Sequence, residues 1–194
     1  MNETEKALFW GRVLFYLFLT GWGLRFVAGN PNADVVLRSF MHMVNLPIHE
    51  AGHIIFSPLG WFMGVLGGTL LQIIFPLAFV ITFLTKYRNE FGSAVTLWWL
   101  AQNFMDISPY IDDARAQKLL LLGGVTGRDA PGYHDWNNIL SHLGWLQHDH
   151  LIARISYDVG RILMVSMFVW GGFILLKQLQ AMKKSEEVVP ADES

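Results

Sequence analysis

The stretch from Phe62 to Thr85, "FMGVLGGTLLQIIFPLAFVITFLT", contains no charged residue. A helix needs about 20 consecutive apolar residues to cross the hydrocarbon core of a bilayer. This stretch is long enough, so it predicts a transmembrane helix. The stretches 7–29 and 151–176 have a similar character and predict two more membrane spans.

The composition of the whole chain favours a membrane location. Of the 194 residues, 53% are hydrophobic and only 15% are charged, and the mean hydropathy is +0.34. The hydrophobic share and the mean hydropathy are above those of a typical soluble domain, and the charged share is below. The first apolar stretch is too long and too aromatic for a signal peptide, so we expect it to be retained. The net charge of −2 gives no indication of a nucleic-acid partner, and none is expected.

Two shorter apolar segments, 41–57 and 91–111, complete a set of five. The predicted fold class is therefore all-α: a polytopic membrane helix bundle of about five hydrophobic segments, with the lipid bilayer as its surroundings. Residues 1–180 are expected to form a single integral-membrane domain. The polar residues 181–194 are expected to form a disordered cytoplasmic tail.

The one long polar connection, 112–150, contains apolar residues at helical spacing between Trp136 and Leu146. This pattern predicts an amphipathic helix that lies on the membrane surface.

The orientation in the membrane follows from the basic residues after the third and fifth segments, because such residues concentrate on the cytoplasmic side. They are Lys86, Arg88, Lys177, Lys183 and Lys184. We therefore expect a cytoplasmic C-terminus in a bacterial plasma (inner) membrane, with the connection 112–150 outside. The N-terminus lies outside if segment 41–57 crosses the bilayer and inside if that segment re-enters.

Segment 41–57 carries three ionisable residues in the sequence "HEAGH": His49, Glu50 and His53. Residues four apart share a helix face, so both histidines can bind one ion. Glu50 then lies beside the ion, where a carboxylate can take a proton from an activated water. The chain has no cysteine, which leaves His and carboxylates as the strong zinc ligands. The motif predicts Zn²⁺ bound by the two histidines, with Glu50 as the catalytic base.

This motif and the Gly-rich "GWFMGVLGGTLLQIIFP" after it resemble the site-2 protease-like intramembrane zinc metallopeptidases over residues 45–111. The resemblance implies hydrolysis of a peptide bond inside the membrane, with two His ligands and an Asp from a later transmembrane helix. The later Asn-x-x-Pro and Leu-Asp-Gly motifs of the family are absent, and "NFMDISPYIDDA" (103–114) is only loosely similar to them.

The third ligand has several candidates, of which we select Asp106. It lies in the fourth apolar segment with no Lys or Arg between Arg88 and Arg115. A carboxylate at membrane depth needs an electropositive partner, and zinc would be one.

Three alternatives remain open. Asp158 has Arg154 and Arg161 on its own helix face, so a salt bridge already accounts for it. Asp112 or Asp113 could reach the site from the end of the fourth segment. His134 could bind zinc with Asp135 orienting it, although Asp135 is equally suited to be a helix N-cap.

The predicted function is that of a zinc metalloendopeptidase of the HExxH type, acting on a membrane-protein or peptide substrate in or near the membrane. One alternative is a zinc-binding or zinc-transporting membrane protein, in which Glu50 would be a ligand or a proton relay. A second alternative is a non-catalytic relative that acts as a membrane scaffold. A base beside the metal favours the enzyme over both.

Overall fold

A computed structural model describes residues 3–31 and 34–187, and within them it contains α-helices and no strand. The prediction of an all-α fold is confirmed. Two short 3₁₀ turns, Ser57–Leu59 and Leu146–His148, accompany the α-helices. The α-helices are α1 (Glu3–Val27), α2 (Asp34–Leu37), α3 (Phe40–Phe56), α4 (Trp61–Thr85), α5 (Glu90–Asp112), α6 (Asp135–His142) and α7 (Asp149–Glu187).

Three helical stretches among the described residues are long and apolar enough to cross a membrane: Glu3–Val27, Trp61–Thr85 and Leu146–Ser185. Each of the five predicted apolar segments lies mostly within a helix, but the prediction of five membrane segments is not confirmed. Helix α3 has only 17 residues. At 1.5 Å per residue it is about 26 Å long, which is short of the roughly 30 Å hydrocarbon core. Helix α5 is longer but carries many polar side chains.

Helix α5 lies between α4 and α7 and has more of its residues buried than either. Its polar side chains face other helices, which explains how a helix of lower hydropathy can lie in the middle of the bundle. The α5–α7 contact is close: a Cβ added at Gly160 would lie 2.6 Å from Met105 Cγ. Helix α1 also contacts α5, where Trp98 donates its indole N–H to the Leu19 carbonyl at 2.9 Å.

Side chains of α7 donate hydrogen bonds to the carbonyl groups at the C-terminal end of α1. The last carbonyl groups of a helix have no partner within it and need one elsewhere. Tyr157 donates its hydroxyl to the Phe26 carbonyl at 2.7 Å. Arg161 donates to the carbonyl groups of Val27 and Gly29. The last helix therefore supplies the hydrogen bonds that the first helix lacks.

Helices α3 and α4 approach each other across glycines. A Cβ on Gly52, the fourth residue of "HEAGH", would overlap the Gly67 carbonyl, and a Cβ on Gly67 would lie 2.5 Å from the Gly52 carbonyl oxygen. The short turn between the helices contains Gly60 at φ +103°, a conformation that favours glycine. Glycine spacing here thus serves close helix packing, which brings α4 against the histidine face of α3.

The predicted amphipathic helix is present as α6, but it is shorter than the pattern suggested and ends at His142. Its residues Ile139 and Leu140 are buried within the protein. The predicted disordered tail is partly helical, because α7 continues to Glu187. Residues 188–194 of that tail lie outside the described residues.

Candidate metal centre

The two histidines of the "HEAGH" motif lie one turn apart on α3, with ring centroids 4.8 Å apart. Both point Nε2 at the same carboxylate oxygen: Asp135 Oδ2 lies 3.1 Å from His49 Nε2 and 3.2 Å from His53 Nε2. Among the described residues, this is the one group of three or more His, Asp or Glu side chains whose potential ligand atoms lie within 4.8 Å of one another.

The other nitrogen of each ring faces a hydrogen-bond acceptor. His49 Nδ1 lies 3.0 Å from Gln72 Oε1, and His53 Nδ1 lies 2.8 Å from the Gly64 carbonyl oxygen. Each Nδ1 therefore carries a proton, and in a neutral imidazole Nε2 is then left with its lone pair. Without an ion, a proton on Nε2 can bond the Asp135 carboxylate. When that proton is replaced by a cation, two nitrogen lone pairs and one carboxylate oxygen converge on it.

Space for this arrangement exists because α4 has a glycine opposite the rings. A Cβ added at Gly68 would lie 2.5 Å from His49 Nε2 and 2.6 Å from His53 Nε2. Any larger residue would occupy the position of the nitrogens or of a bound ion. Gly68 thus leaves room for the two histidine rings, in addition to the role of the α4 glycines in helix packing.

The donor set fits zinc. Nitrogen and oxygen ligands lie about 2.0–2.2 Å from Zn²⁺, so the edge of their tetrahedron is roughly 3.3 Å. The two nitrogen-to-oxygen distances of 3.1 and 3.2 Å are close to that edge. Two imidazoles and one carboxylate also leave the fourth position for water, as in catalytic zinc sites.

Asp135 is the first residue of α6, and its neighbour His134 is the N-cap. The His134 side chain accepts a hydrogen bond from the Asn137 backbone N–H at 3.2 Å. Asn137 in turn donates its side-chain amide to the Ala114 carbonyl at 2.8 Å, which attaches α6 to the end of α5. This N-cap directs the adjacent Asp135 towards α3.

The surroundings of His134 and Asp135 shift the pKa of each residue for a different reason. Burial lowers the pKa of His134, although the Asp113 carboxylate 3.4 Å away acts in the opposite direction. Burial acts to raise the pKa of Asp135, but the contacts with His49 and His53 outweigh it and hold that pKa below its ordinary value. Asp135 is thus a carboxylate that prefers to be ionised and attracts positive charge.

The site opens into a cavity of about 510 Å³. Glu50 lines this cavity together with His49, His53 and Asp135. Trp61, Val65, Leu121 and other apolar side chains form most of the remaining wall. Among the described residues that line it, none is Lys or Arg. Glu50 therefore lies beside the donor group without belonging to it, in a mainly apolar cavity large enough for a short peptide segment.

Asp106 lies at the back of the same cavity but outside the donor group. Its oxygens accept hydrogen bonds from His42, Asn45, Gln72 and Gln102, and its side chain is only 2% exposed. The structure thus brings Asp135 to the position that the sequence analysis assigned to Asp106. Asp106 as a ligand stays a prediction, and the metal-binding measurements described below discriminate between the two residues.

The other candidates have different partners. Asp158 forms the expected salt bridge with Arg161 at 2.7 Å. Asp113 accepts hydrogen bonds from two backbone N–H groups of the following connection. His134 and Asp135 follow the connection between α5 and α6 and reach the site, as the alternative considered above requires. Their roles are exchanged, because His134 is the cap and Asp135 faces the histidines.

Sequence reasoning missed Gln72 altogether. A glutamine in the middle of an otherwise apolar span is a signal that could have found it, because a buried amide needs partners.

Comparisons with protein-family models, curated proteins and solved structures return no match.

Proposed function

We propose that this protein is a zinc-dependent metalloprotease that hydrolyses a peptide bond in or near the membrane. The observation that carries the proposal is the convergence of His49 Nε2, His53 Nε2 and Asp135 Oδ2 next to Glu50 in one cavity. The three membrane-length helices support a substrate that is a membrane protein or an apolar peptide. The resemblance of "HEAGH" and its surroundings to site-2 protease-like enzymes agrees with this function.

In this proposal His49, His53 and Asp135 hold the metal, and neighbouring groups orient the two histidine rings. Zinc supplies Lewis-acid chemistry, which makes water acidic enough to lose a proton near neutral pH and polarises a carbonyl group. Gln72 and the Gly64 carbonyl orient the two rings. Asp135 contributes negative charge, which stabilises a cation between the rings.

Glu50 is the general base of the proposed reaction. It accepts a proton from the attacking water, whose oxygen forms the new bond to the carbonyl carbon of the peptide. When the carbon–nitrogen bond breaks, Glu50 returns the proton to the leaving amine. The products are a carboxylate and an amine, and no covalent bond to the protein forms. The apolar wall of the cavity excludes bulk water and strengthens these electrostatic interactions.

The test uses the purified full-length protein and a synthetic transmembrane peptide carrying a fluorophore and a quencher. Glu50→Gln should keep about one zinc per chain but lower the cleavage rate by about 10²–10⁴-fold, which is the usual contribution of a general base. Glu90→Gln, at an exposed glutamate of α5, is the matched control and should retain both properties. Loss of zinc in Glu50→Gln would make Glu50 a ligand and would favour zinc binding or transport over hydrolysis.

A further inference from the structure

Asp106 is a buried carboxylate in the middle of α5 with no Lys or Arg among its recorded partners. Side chains from three helices surround it. His42 and Asn45 of α3 lie 3.1 Å from its oxygens, Gln72 of α4 lies 3.0 Å away, and Gln102 of α5 lies 3.4 Å away. Every one of these partners can donate a hydrogen bond, so the four side chains are arranged around an acceptor.

Gln72 connects this carboxylate to the candidate metal centre. Its Nε2 donates to Asp106 Oδ2 at 3.0 Å, and its Oε1 lies 3.0 Å from His49 Nδ1. An amide has a donor at one end and an acceptor at the other. Because the Asp106 oxygen only accepts when ionised, Gln72 must turn its NH₂ towards Asp106, and its oxygen then faces His49.

The direction of these hydrogen bonds determines the state of His49. The oxygen of Gln72 can only accept, so His49 Nδ1 must carry a proton. In a neutral ring Nε2 then keeps the lone pair that a metal needs, whereas without a metal the Asp135 carboxylate 3.1 Å away favours a proton on Nε2 as well. We propose that Asp106 is a positioning residue, which fixes the tautomer of His49 through Gln72. This inference rests on the proposed zinc site and assigns to Asp106 a role other than that of a ligand.

The second histidine provides an internal comparison. His53 Nδ1 faces the backbone carbonyl of Gly64, which cannot be reversed as an amide can. Loss of Asp106 should therefore change His49 and leave His53 unaffected. In Asp106→Leu, no acceptor remains for the Gln72 NH₂ at position 106, so either end of the Gln72 amide can face His49 and the preference for a proton on Nδ1 is lost.

The experiment measures the tautomers directly, by ¹⁵N NMR of full-length, metal-free protein labelled at histidine. The protein carries Asp135→Ala, because the Asp135 carboxylate would otherwise accept a hydrogen bond from both Nε2 atoms, and the pH is set so that both imidazoles are neutral. With no further change, both rings should carry the proton on Nδ1. Asp106→Leu should abolish that preference at His49 and leave His53 unchanged, and the control Asp158→Leu should change neither. An unchanged His49 in Asp106→Leu would overturn the inference.

A double variant tests the direction of the hydrogen bonds. With Asp106→Leu and Gln72→Glu together, the carboxylate at 72 has only acceptor atoms, so it accepts from His49 Nδ1 without help from residue 106. The double variant should restore the Nδ1 tautomer and, with Asp135 present, the zinc affinity, which Asp106→Leu alone should lower by about 10–100-fold. Restored affinity also excludes Asp106 as a ligand, whereas affinity that stays low in the double variant would contradict the inference.

Gln72→Met gives the same information if Asp106→Leu does not fold, because it removes the acceptor of His49 and leaves three donors around Asp106. It should abolish the tautomer preference of His49, and a preserved preference would overturn the inference. The NMR readout also separates the two proposals. If the tautomers are as expected but the parent protein binds no zinc, the proposed function is refuted, while the orienting role of Asp106 stands.

Discussion

The two sides of the proposed zinc site are held by different kinds of structure. His49 and His53 lie on one face of the continuous helix α3, against which α4 packs closely through glycines. Asp135 begins a helix of eight residues that follows the connection from the end of α5. The helix backbone fixes the distance between the two histidines, whereas Asp135 depends on how α6 docks. Zinc binding should therefore depend on helix packing at the histidine side and on the docking of α6 at the aspartate side.

The largest expected effect comes from filling the space opposite the histidines. In Gly68→Ala the new Cβ would overlap Nε2 of both rings, so zinc affinity should fall by about 1,000-fold or more, beyond the 10–100-fold cost of losing a single outer contact. Competition with a chelator of known affinity measures the loss. Gly21→Ala, where a Cβ meets no atom within 4 Å, is the control. Parent-like affinity in Gly68→Ala would show that the ion does not lie between these rings.

The next largest effect is expected on the aspartate side. Asp135→Ala removes one donor but leaves the two histidines in place, so zinc affinity should fall by about 100-fold. Asp129→Ala, at an exposed residue of the same connection that bonds only Thr126, should bind zinc like the parent. If Asp135→Ala binds zinc as well as Asp129→Ala does, the third ligand must be sought elsewhere, with Asp106 first.

The difference between the two sides also explains what the sequence could predict. The spacing of His49 and His53 follows from helix geometry alone, and the structure places both rings on one face. The apolar segments likewise predicted helices, because their composition is unusual over many residues. The position of Asp135 depends on the path of a long connection, which no local pattern determines. Asp106 was selected on its charge, and the structure gives it four hydrogen-bonding partners from three helices that no local sequence pattern predicts.

A smaller effect on zinc affinity is expected when α6 is held less tightly while the three zinc-binding side chains stay unchanged. Asn137→Ala removes the hydrogen bond to the Ala114 carbonyl, and such a bond contributes about 1 kcal/mol, which corresponds to roughly fivefold in zinc affinity. Asn138→Ala removes an exposed bond to the Gly132 carbonyl and serves as the control. Equal affinities for the two variants would mean that docking of α6 does not limit zinc binding.

The smallest effect on zinc is expected from single cysteines that report topology, and the absence of natural cysteine makes the labelling free of background. Cysteine at Tyr87 or Ser185 should react from the cytoplasmic side, and cysteine at Leu120 from the outer side. This arrangement requires α5 to cross the bilayer, since it joins the end of α4 to the outer connection. Labelling of Leu120→Cys and Ser185→Cys from the same side would contradict it.

The hydrogen bonds between α7 and the end of α1 have a consequence for the order in which the protein matures. The Val27 carbonyl receives its hydrogen bond from Arg161, which is synthesised 134 residues later. Until then the end of the first helix must rely on water or lipid headgroups for its unpaired carbonyl groups. A nascent chain that stops before α7 therefore has an N-terminal helix whose last carbonyl groups lack the partners that the finished protein provides.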